Sequence, residues 1–199
     1  AGRMDDLEAD LAKRLDSNFS DMMELNNDIN KTHVKEHDGL MKEKMSINPN
    51  KTEYGDGRAE IYDLGILDSK GELTNLLLKG EEFTIREKIK FNANIESPIF
   101  TFTIKDKKGT ELTGTNTMFE GVEVKPVKPG DDAVVEFKQK MTLQGGEYLL
   151  SMSCTGFENG THVVYHRLYD VTFITVISNK NTVGVYDMES KVKLTQNSK

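Results

Sequence analysis

Residues 97–106 read Ser97-Pro98-Ile99-Phe100-Thr101-Phe102-Thr103-Ile104-Lys105-Asp106. Within this stretch, apolar side chains alternate with threonine and lysine, and the turn sequence of residues 106–109 (Asp-Lys-Lys-Gly) follows at once. Successive side chains of a β-strand point to opposite faces of its sheet. The stretch therefore predicts a half-buried strand that ends in a hairpin turn and has one apolar and one polar face.

The same two-residue period recurs along the chain after Tyr54. It is clear in residues 83–91, 135–141 and 148–154. Further segments with the composition of strands are residues 59–67, 75–78, 111–116, 169–177 and 191–194. Turn sequences rich in glycine, asparagine and aspartate separate these segments, and no helical pattern lies between them. Short strands at such regular intervals predict an all-β antiparallel sandwich.

The N-terminal quarter of the chain has a different composition. Only Gly2 and Gly39 of the 16 glycines precede Tyr54. Apolar residues spaced three or four apart are Leu7, Leu11, Leu15, Phe19, Met22 and Met23. This spacing predicts an amphipathic helix over residues 5–26. Residues 27–54 are mostly polar, which predicts a linker with one helical turn around residues 40–45. We therefore expect a helical segment and linker at residues 1–54 and a sandwich domain at 55–199.

The charge balance disfavours two classes of partner. The chain has 26 Lys and Arg against 33 Asp and Glu, a net charge of −7, whereas nucleic acids and anionic membranes select clustered cations. No segment approaches the ~18 consecutive apolar residues of a membrane-spanning helix, so we expect no membrane insertion. The single cysteine, Cys154, cannot form an internal disulfide and favours a reducing compartment.

Motifs for catalysis and cofactor binding are weak in this sequence. The P-loop pattern is absent, and a strand rather than a helix follows the Gly-Asp-Gly of residues 55–57. Cys154 shares the parity of apolar neighbours, which predicts a buried side chain rather than a nucleophile. His162 and His166 are four residues apart but not on a helix, so helical zinc-site spacing does not apply. We expect no metal, no cofactor and no enzymatic activity.

Glu87 lies on the apolar parity of its predicted strand. A carboxyl group that is buried needs a partner or a raised pKa. We expect a strand edge or a bulge to turn this side chain outward, and we expect no catalytic role for it, because no set of nucleophile, base and orienting group accompanies it.

The remaining possibility is a binding surface. Small polar side chains hydrogen-bond sugar hydroxyls, and aromatic rings stack on the C–H face of a sugar. Two predicted solvent-exposed strand faces and the segment 157–169 concentrate such groups. The predicted carbohydrate-binding residues are Thr101, Thr103, Ser151, Ser153, Phe157, His162, Tyr165, His166 and Tyr169.

Several short motifs resemble the C-terminal domain of Wzt-type proteins, the ATP-binding subunits of bacterial ABC transporters that export O-antigens and related surface polysaccharides. The matching stretches are residues 54–61, 67–72, 79–85, 97–109, 114–117, 146–148 and 169–176. Among them, the proline-led strand with its charged turn and the Gly-Thr-Asn-Thr of residues 114–117 are the most characteristic. The resemblance covers about residues 54–180.

The resemblance implies an immunoglobulin-like sandwich that binds the exported glycan without cleaving it and often dimerises, in some members by exchanging a C-terminal strand. It also implies the transporter's ATPase and membrane subunits as partners, at the inner face of the cell membrane. The family's ATPase domain is not in this sequence, and without tryptophan any stacking falls to Phe and Tyr. A dimerisation domain without a glycan site, and a small glycan-cleaving sandwich, are the alternatives.

Overall fold

The computed structural model describes residues 39–197, which form an all-β structure with one short 3-10 helix, Met41–Lys44. The strands in chain order are β1 (Thr52–Tyr54), β2 (Ala59–Leu67), β3 (Leu76–Leu78), β4 (Glu82–Phe91), β5 (Ile99–Asp106), β6 (Glu111–Asn116), β7 (Asp132–Lys140), β8 (Gly146–Glu158) and β9 (Thr161–Ile177). The prediction of an all-β antiparallel sandwich is confirmed. No helix in the described range is long and apolar enough to span a membrane.

The strands form two sheets. The six-stranded sheet has the order β1-β9-β8-β5-β6, and β3 also pairs with β9. The three-stranded sheet has the order β2-β4-β7. The pairing of β3 with β9 is parallel, whereas the other strand pairs are antiparallel. In the six-stranded sheet, β8 and β9 are therefore central strands with a neighbour on each side.

The core lies between the two sheets and follows the alternation seen in the sequence. In β4 the odd-numbered residues from 83 to 91 are all buried, while the even-numbered ones are partly or fully exposed. The rings of Phe102 on β5 and Phe137 on β7 meet edge to face with centroids 5.0 Å apart, which joins the sheets. Burial of such apolar faces is the main force that holds a sandwich together.

The folded unit begins earlier than the boundary predicted at residue 55. Met41 and Met45 are buried, and the carboxylate of Asp63 on β2 accepts hydrogen bonds from the backbone N–H groups of Met41 (3.1 Å) and Lys42 (2.9 Å). These bonds hold the predicted helical turn against the sandwich. Residues 52–54, assigned to the linker, form the edge strand β1. The helix predicted over residues 5–26 lies outside the described residues.

One predicted strand is wrong and two are too short. Residues 191–194 do not form a strand; they are exposed chain without a ladder partner in the described part of the molecule. The strands predicted at 148–154 and 169–177 extend through residues 157–169, where β8 and β9 meet around a tight turn at Asn159 and Gly160. Asn159 has φ +49° and Gly160 has φ +76°, a left-handed conformation that asparagine and glycine tolerate.

Glu87 is also unlike the prediction. It lies on the central strand of the three-stranded sheet, between Leu64 and Val135 of the neighbouring strands, and no bulge turns it outward. Its side chain is fully buried, and neither carboxyl oxygen has a hydrogen-bond partner among the described residues. Burial raises the pKa of Glu87 well above its usual value near 4.5.

Candidate functional site

The outer face of the six-stranded sheet carries a row of polar side chains that crosses four strands. Thr101 on β5 is opposite Ser153 on β8, Ser153 is opposite Arg167 on β9, and Arg167 is opposite Tyr54 on β1. Directly opposed residues of paired strands have side chains on the same face of the sheet. The ladders therefore bring together residues separated by more than a hundred positions in the sequence.

A second row runs beside the first. Thr103 on β5 is opposite Ser151 on β8, and Tyr169 on β9 is opposite Thr52 on β1. A register shift leaves Ser151 facing residues 169–171. In this bulge Asp170 has φ +52°, its backbone N–H donates to Ser151 Oγ at 2.8 Å, and its carboxylate accepts from the same hydroxyl at 3.3 Å.

The centre of this face is made of small side chains. Thr101 and Thr103 are partly exposed, whereas Ser151 and Ser153 are buried, at 5% and 4% exposure. The predicted exposure of the two serines is wrong. They share the outer face of the sheet with Thr101 and Thr103, but they are short and lie on a central strand that has a neighbour on each side. The serines are therefore the buried part of this face, and the threonines are its accessible part.

Aromatic and cationic groups lie beside these small side chains, on the β9 side of the face. The rings of Tyr54 and Tyr169 have centroids 5.9 Å apart, and Arg167 Nη1 donates hydrogen bonds to both phenol oxygens, at 3.1 and 3.3 Å. The ammonium of Lys105 lies 4.6 Å from the Tyr169 ring centroid and 3.2 Å from the Asp170 carboxylate. This cluster fixes the Tyr169 ring with cation–π contacts. We call these two rows and their border the polar face.

Two predicted site residues lie inside the protein instead. Tyr165 is 2% exposed, its ring packs against Gly156, and the Arg58 guanidinium lies 4.7 Å from its centroid. His166 is buried, and its ring nitrogens form hydrogen bonds with the backbone N–H of Ile61 and the carboxylate of Glu53 on β1. The expectation that Tyr165 and His166 are available to a ligand is therefore corrected: both stabilise the fold, because the irregular pairing of β8 and β9 after Cys154 places them inward.

Phe157 and His162 occupy the exposed end of the β8–β9 hairpin. They are directly opposed in the ladder, and their rings meet edge to face at 5.4 Å. Phe157 is 55% exposed. The two rings form a separate aromatic surface at the tip of the hairpin, several residues along the strands from the row that contains Ser153.

Four members of the polar face are not among the predicted site residues: Tyr54, Lys105, Arg167 and Asp170. Lys105 continues the parity of Thr101 and Thr103, so the alternation could have identified it. Arg167 lies in the segment 157–169, which the sequence singles out, and it shares parity with Tyr169, but it was not selected as a contact. Tyr54 carried no signal, because residues 52–54 are too short and polar to be recognised as a strand.

The polar face offers hydroxyl, phenol, guanidinium and carboxylate groups for hydrogen bonding, and the Tyr54 and Tyr169 rings for stacking. The described residues contain no group of three or more His, Cys, Asp or Glu side chains arranged to hold a metal ion. Cys154 is on the inner side of β8 and buried, and burial together with the nearby Glu87 carboxyl raises the pKa of its thiol.

Comparison with protein families identifies the domain. The family model described as the Wzt C-terminal domain matches residues 50–188, which include β1 to β9 and the whole polar face. The chain belongs to the Wzt C-terminal domain family. The crystal structure of a Wzt C-terminal domain is similar to this chain with a TM-score of 0.73 and 25% sequence identity, over 78% of this chain and 95% of that one.

This Wzt C-terminal domain has more distant similarities. One is the CARDB domain of a Pyrococcus furiosus protein, determined in complex with di-metal ions, with 15% identity over 58% of this chain and 88% of that one and a TM-score of 0.36. Another is the sporulation control protein Spo0M from Bacillus subtilis, with 11% identity over 60% of this chain and 49% of that one and a TM-score of 0.35. No curated protein sequence is significantly similar to the chain.

Proposed function

We propose that this Wzt C-terminal domain binds a bacterial surface polysaccharide on its polar face, without cleaving it, and so selects the polysaccharide for export by an ABC transporter. The observation that carries the proposal is the arrangement of the face. Small hydroxyl side chains, those of Ser151, Ser153, Thr101 and Thr103, adjoin two tyrosine rings held in place by hydrogen bonds and cation–π contacts.

Such a surface suits a sugar for physical reasons. A pyranose is flat enough to lie on a sheet whose side chains are short, and its hydroxyls can exchange hydrogen bonds with Thr101 and Thr103. Its C–H face can stack on Tyr169 or Tyr54, whose orientation is fixed before binding, which lowers the entropic cost of association. Phe157 and His162 at the hairpin tip are proposed to contact a further sugar of the same polysaccharide, while Ser151 and Ser153 support the accessible part of the face from below.

The proposed role in export rests on affinity alone. A domain that holds the correct glycan next to the ATPase and membrane subunits of the transporter raises the local concentration of that glycan. A chain that lacks the matching hydroxyl pattern leaves polar groups of the site unpaired and is rejected. The domain would then work at the inner face of the cell membrane.

The first test is calorimetric titration of the full chain with purified bacterial surface polysaccharides. We expect saturable binding to at least one of them, with no new reducing ends after incubation. Tyr169→Ala should weaken binding at least about tenfold. The matched control is Tyr62→Ala. The Tyr62 ring also has a lysine ammonium, that of Lys90, 4.4 Å from its centroid, but Tyr62 lies on β2 in the other sheet. Absence of binding by every polysaccharide would refute the proposal.

A second candidate function is dimerisation, and a different observation favours it. A cleft of about 1060 Å³ is lined by residues of β6 and β7, and its apolar lining, which includes Leu112, Val124 and Phe137, is flanked by charged side chains. The chain after residue 187 exposes Met188, Val192 and Leu194 at 74% or more. Exposed apolar segments of this kind commonly mark interaction sites. The cleft of one copy can accept such a segment from a second copy.

The dimer hypothesis is tested by analytical ultracentrifugation of the wild type and of a Val192→Asp, Leu194→Asp double variant. A dimer that becomes a monomer in the double variant, but not in the control Lys193→Asp, supports the contact. A domain that dimerises but binds no polysaccharide would make dimerisation its sole function.

A further inference from the structure

Arg167 differs from the other arginines of the described chain in its partners. Arg58 forms ion pairs with Asp56 and Glu158, and Arg86 forms one with Glu136. Within residues 39–197, no carboxylate oxygen lies within 4.0 Å of the Arg167 guanidinium, whose hydrogen bonds go to two neutral phenols. A positive charge on the polar face is therefore left without a counter-charge from the described part of the protein.

The geometry of these bonds leaves one edge of the guanidinium unoccupied by the described residues. Both phenol contacts use Nη1, and the structure has no hydrogen bond from Nε or Nη2 to residues 39–197. The Nε–Nη2 edge is one of the two-pronged donor edges that arginine presents to a carboxylate or a phosphate. Tyr54 and Tyr169 hold the opposite side of the group, so this edge keeps a fixed orientation on a partly exposed residue.

The other cation of the polar face is in a different state. Lys105 is 13% exposed and lies 3.2 Å from the Asp170 carboxylate, which neutralises its charge locally. Asp170 is in turn held by Ser151. Arg167 is therefore the cation of this face whose Nε and Nη2 donors have no partner among the described residues. It lies in the row that contains Thr101 and Ser153.

We propose that the polar face selects an acidic glycan, one that carries a carboxylate or phosphate group, and that the Nε–Nη2 edge of Arg167 binds this anionic group. The inference rests on the proposed glycan-binding function and specifies its substrate class. An oriented guanidinium edge without a carboxylate partner favours a carboxylate or phosphate over a hydroxyl, because the two parallel hydrogen bonds to the anion are charge-assisted.

The test uses the full chain and a panel of purified bacterial polysaccharides that are uronate-containing, phosphodiester-containing or neutral. We expect binding by acidic members of the panel. Reduction of the uronate carboxyl to the alcohol, or removal of the phosphate, should lower the affinity at least about tenfold, as expected for loss of a charge-assisted bidentate contact. The two chemical treatments distinguish a carboxylate from a phosphate as the recognised group.

Variants locate the effect on Arg167. Arg167→Gln and Arg167→Lys should both lower affinity for the acidic glycan about tenfold or more, because lysine keeps the charge but not the two-pronged edge. Arg86→Gln, a partly exposed strand arginine of the other sheet, should leave affinity within about twofold. The comparison of native and carboxyl-reduced glycan on the wild type needs no variant and stands even if a substitution at residue 167 disturbs folding.

Each result decides a different point. Binding by neutral glycans alone, or affinity unchanged by removal of the anionic group, would overturn the acidic-glycan proposal and leave the glycan-binding function intact. Affinity for the acidic glycan unchanged in a folded Arg167→Gln protein would overturn the assignment of the anion to Arg167. Absence of binding by the whole panel would overturn the glycan-binding function itself.

Discussion

The imidazole Nδ1 of His166 on β9 accepts a hydrogen bond of 2.9 Å from the backbone N–H of Ile61 on β2. This bond joins the two sheets. Because Nδ1 is the acceptor, the ring hydrogen is on Nε2, which donates to Glu53 Oε1 at 3.0 Å. The two hydrogen bonds of His166 thus connect the edge strand β1 to β2 of the other sheet.

Replacement of His166 should therefore destabilise the fold. His166→Phe leaves the Ile61 N–H without an acceptor in a buried position, and we expect a loss of about 1–3 kcal/mol of unfolding free energy. Urea unfolding at neutral pH measures it. Glu53→Gln is the control, since an amide oxygen still accepts the Nε2 hydrogen bond, and it should cost much less. Equal stability of His166→Phe and the wild type would contradict the role assigned to this bond.

A second prediction concerns Glu87. Its buried carboxyl has no hydrogen-bond partner among the described residues, so replacement by an apolar side chain of similar size removes a penalty. We expect Glu87→Met to be more stable than the wild type at pH 7, in urea unfolding experiments. Glu82→Gln, on the same strand but in an exposed ion pair with Lys138, should change stability by less than about 1 kcal/mol.

The advantage of Glu87→Met should depend on pH in a defined direction. The pKa of Glu87 is raised in the folded state, so the folded protein retains a proton that the unfolded chain releases near pH 4.5. Wild-type stability should then fall as pH rises from that point, by up to about 1.4 kcal/mol per pH unit, until the folded-state pKa is passed. The difference between variant and wild type should widen over this range and be smallest at acid pH. A constant difference would show that the pKa of Glu87 is the same in the folded and unfolded states, and would contradict the raised pKa.

A third prediction concerns Cys154. The thiol is buried, and burial raises its pKa, so thiolate formation and reagent access both require opening of the sandwich. We expect no labelling of the native protein by a maleimide or disulfide reagent at pH 8 and complete labelling in denaturant. A Lys108→Cys variant, with a thiol in an exposed hairpin turn, is the positive control. Rapid labelling of the native wild-type protein would contradict the burial of Cys154.

The sequence predicted the sandwich well because strand alternation is a local property. The parity of Phe83, Ile85, Ile89 and Phe91 identifies the buried face of β4 without knowledge of its neighbours. The same alternation led to a wrong prediction for Glu87. A carboxyl group on an apolar face suggested a bulge that would turn the side chain outward, whereas in the structure the side chain is buried and its pKa is raised.

The polar face could be predicted only in part. Thr101, Thr103, Ser151 and Ser153 follow from parity, but their burial depends on which strands are central, and that is a property of sheet order. The contact of Arg167 with Tyr54 joins residues 113 positions apart. Such a pair exists only because β1 adds to the edge of β9, and no local pattern encodes that choice.

The fourth prediction separates the two tyrosines that the sequence placed in one site. Tyr165→Ala removes a buried ring and should cost about 3–5 kcal/mol of unfolding free energy, so any loss of glycan binding should follow the loss of folded protein. Tyr165→Phe, which keeps the ring, should bind glycan as the wild type does. Tyr169→Ala should do the reverse: it lies on a partly exposed face, so the protein should stay folded while glycan affinity falls. Thermal unfolding and calorimetric titration of the three variants provide the comparison. If folded Tyr165→Phe loses glycan binding while Tyr169→Ala retains it, the ligand contacts the hairpin interior and the polar face is not the site.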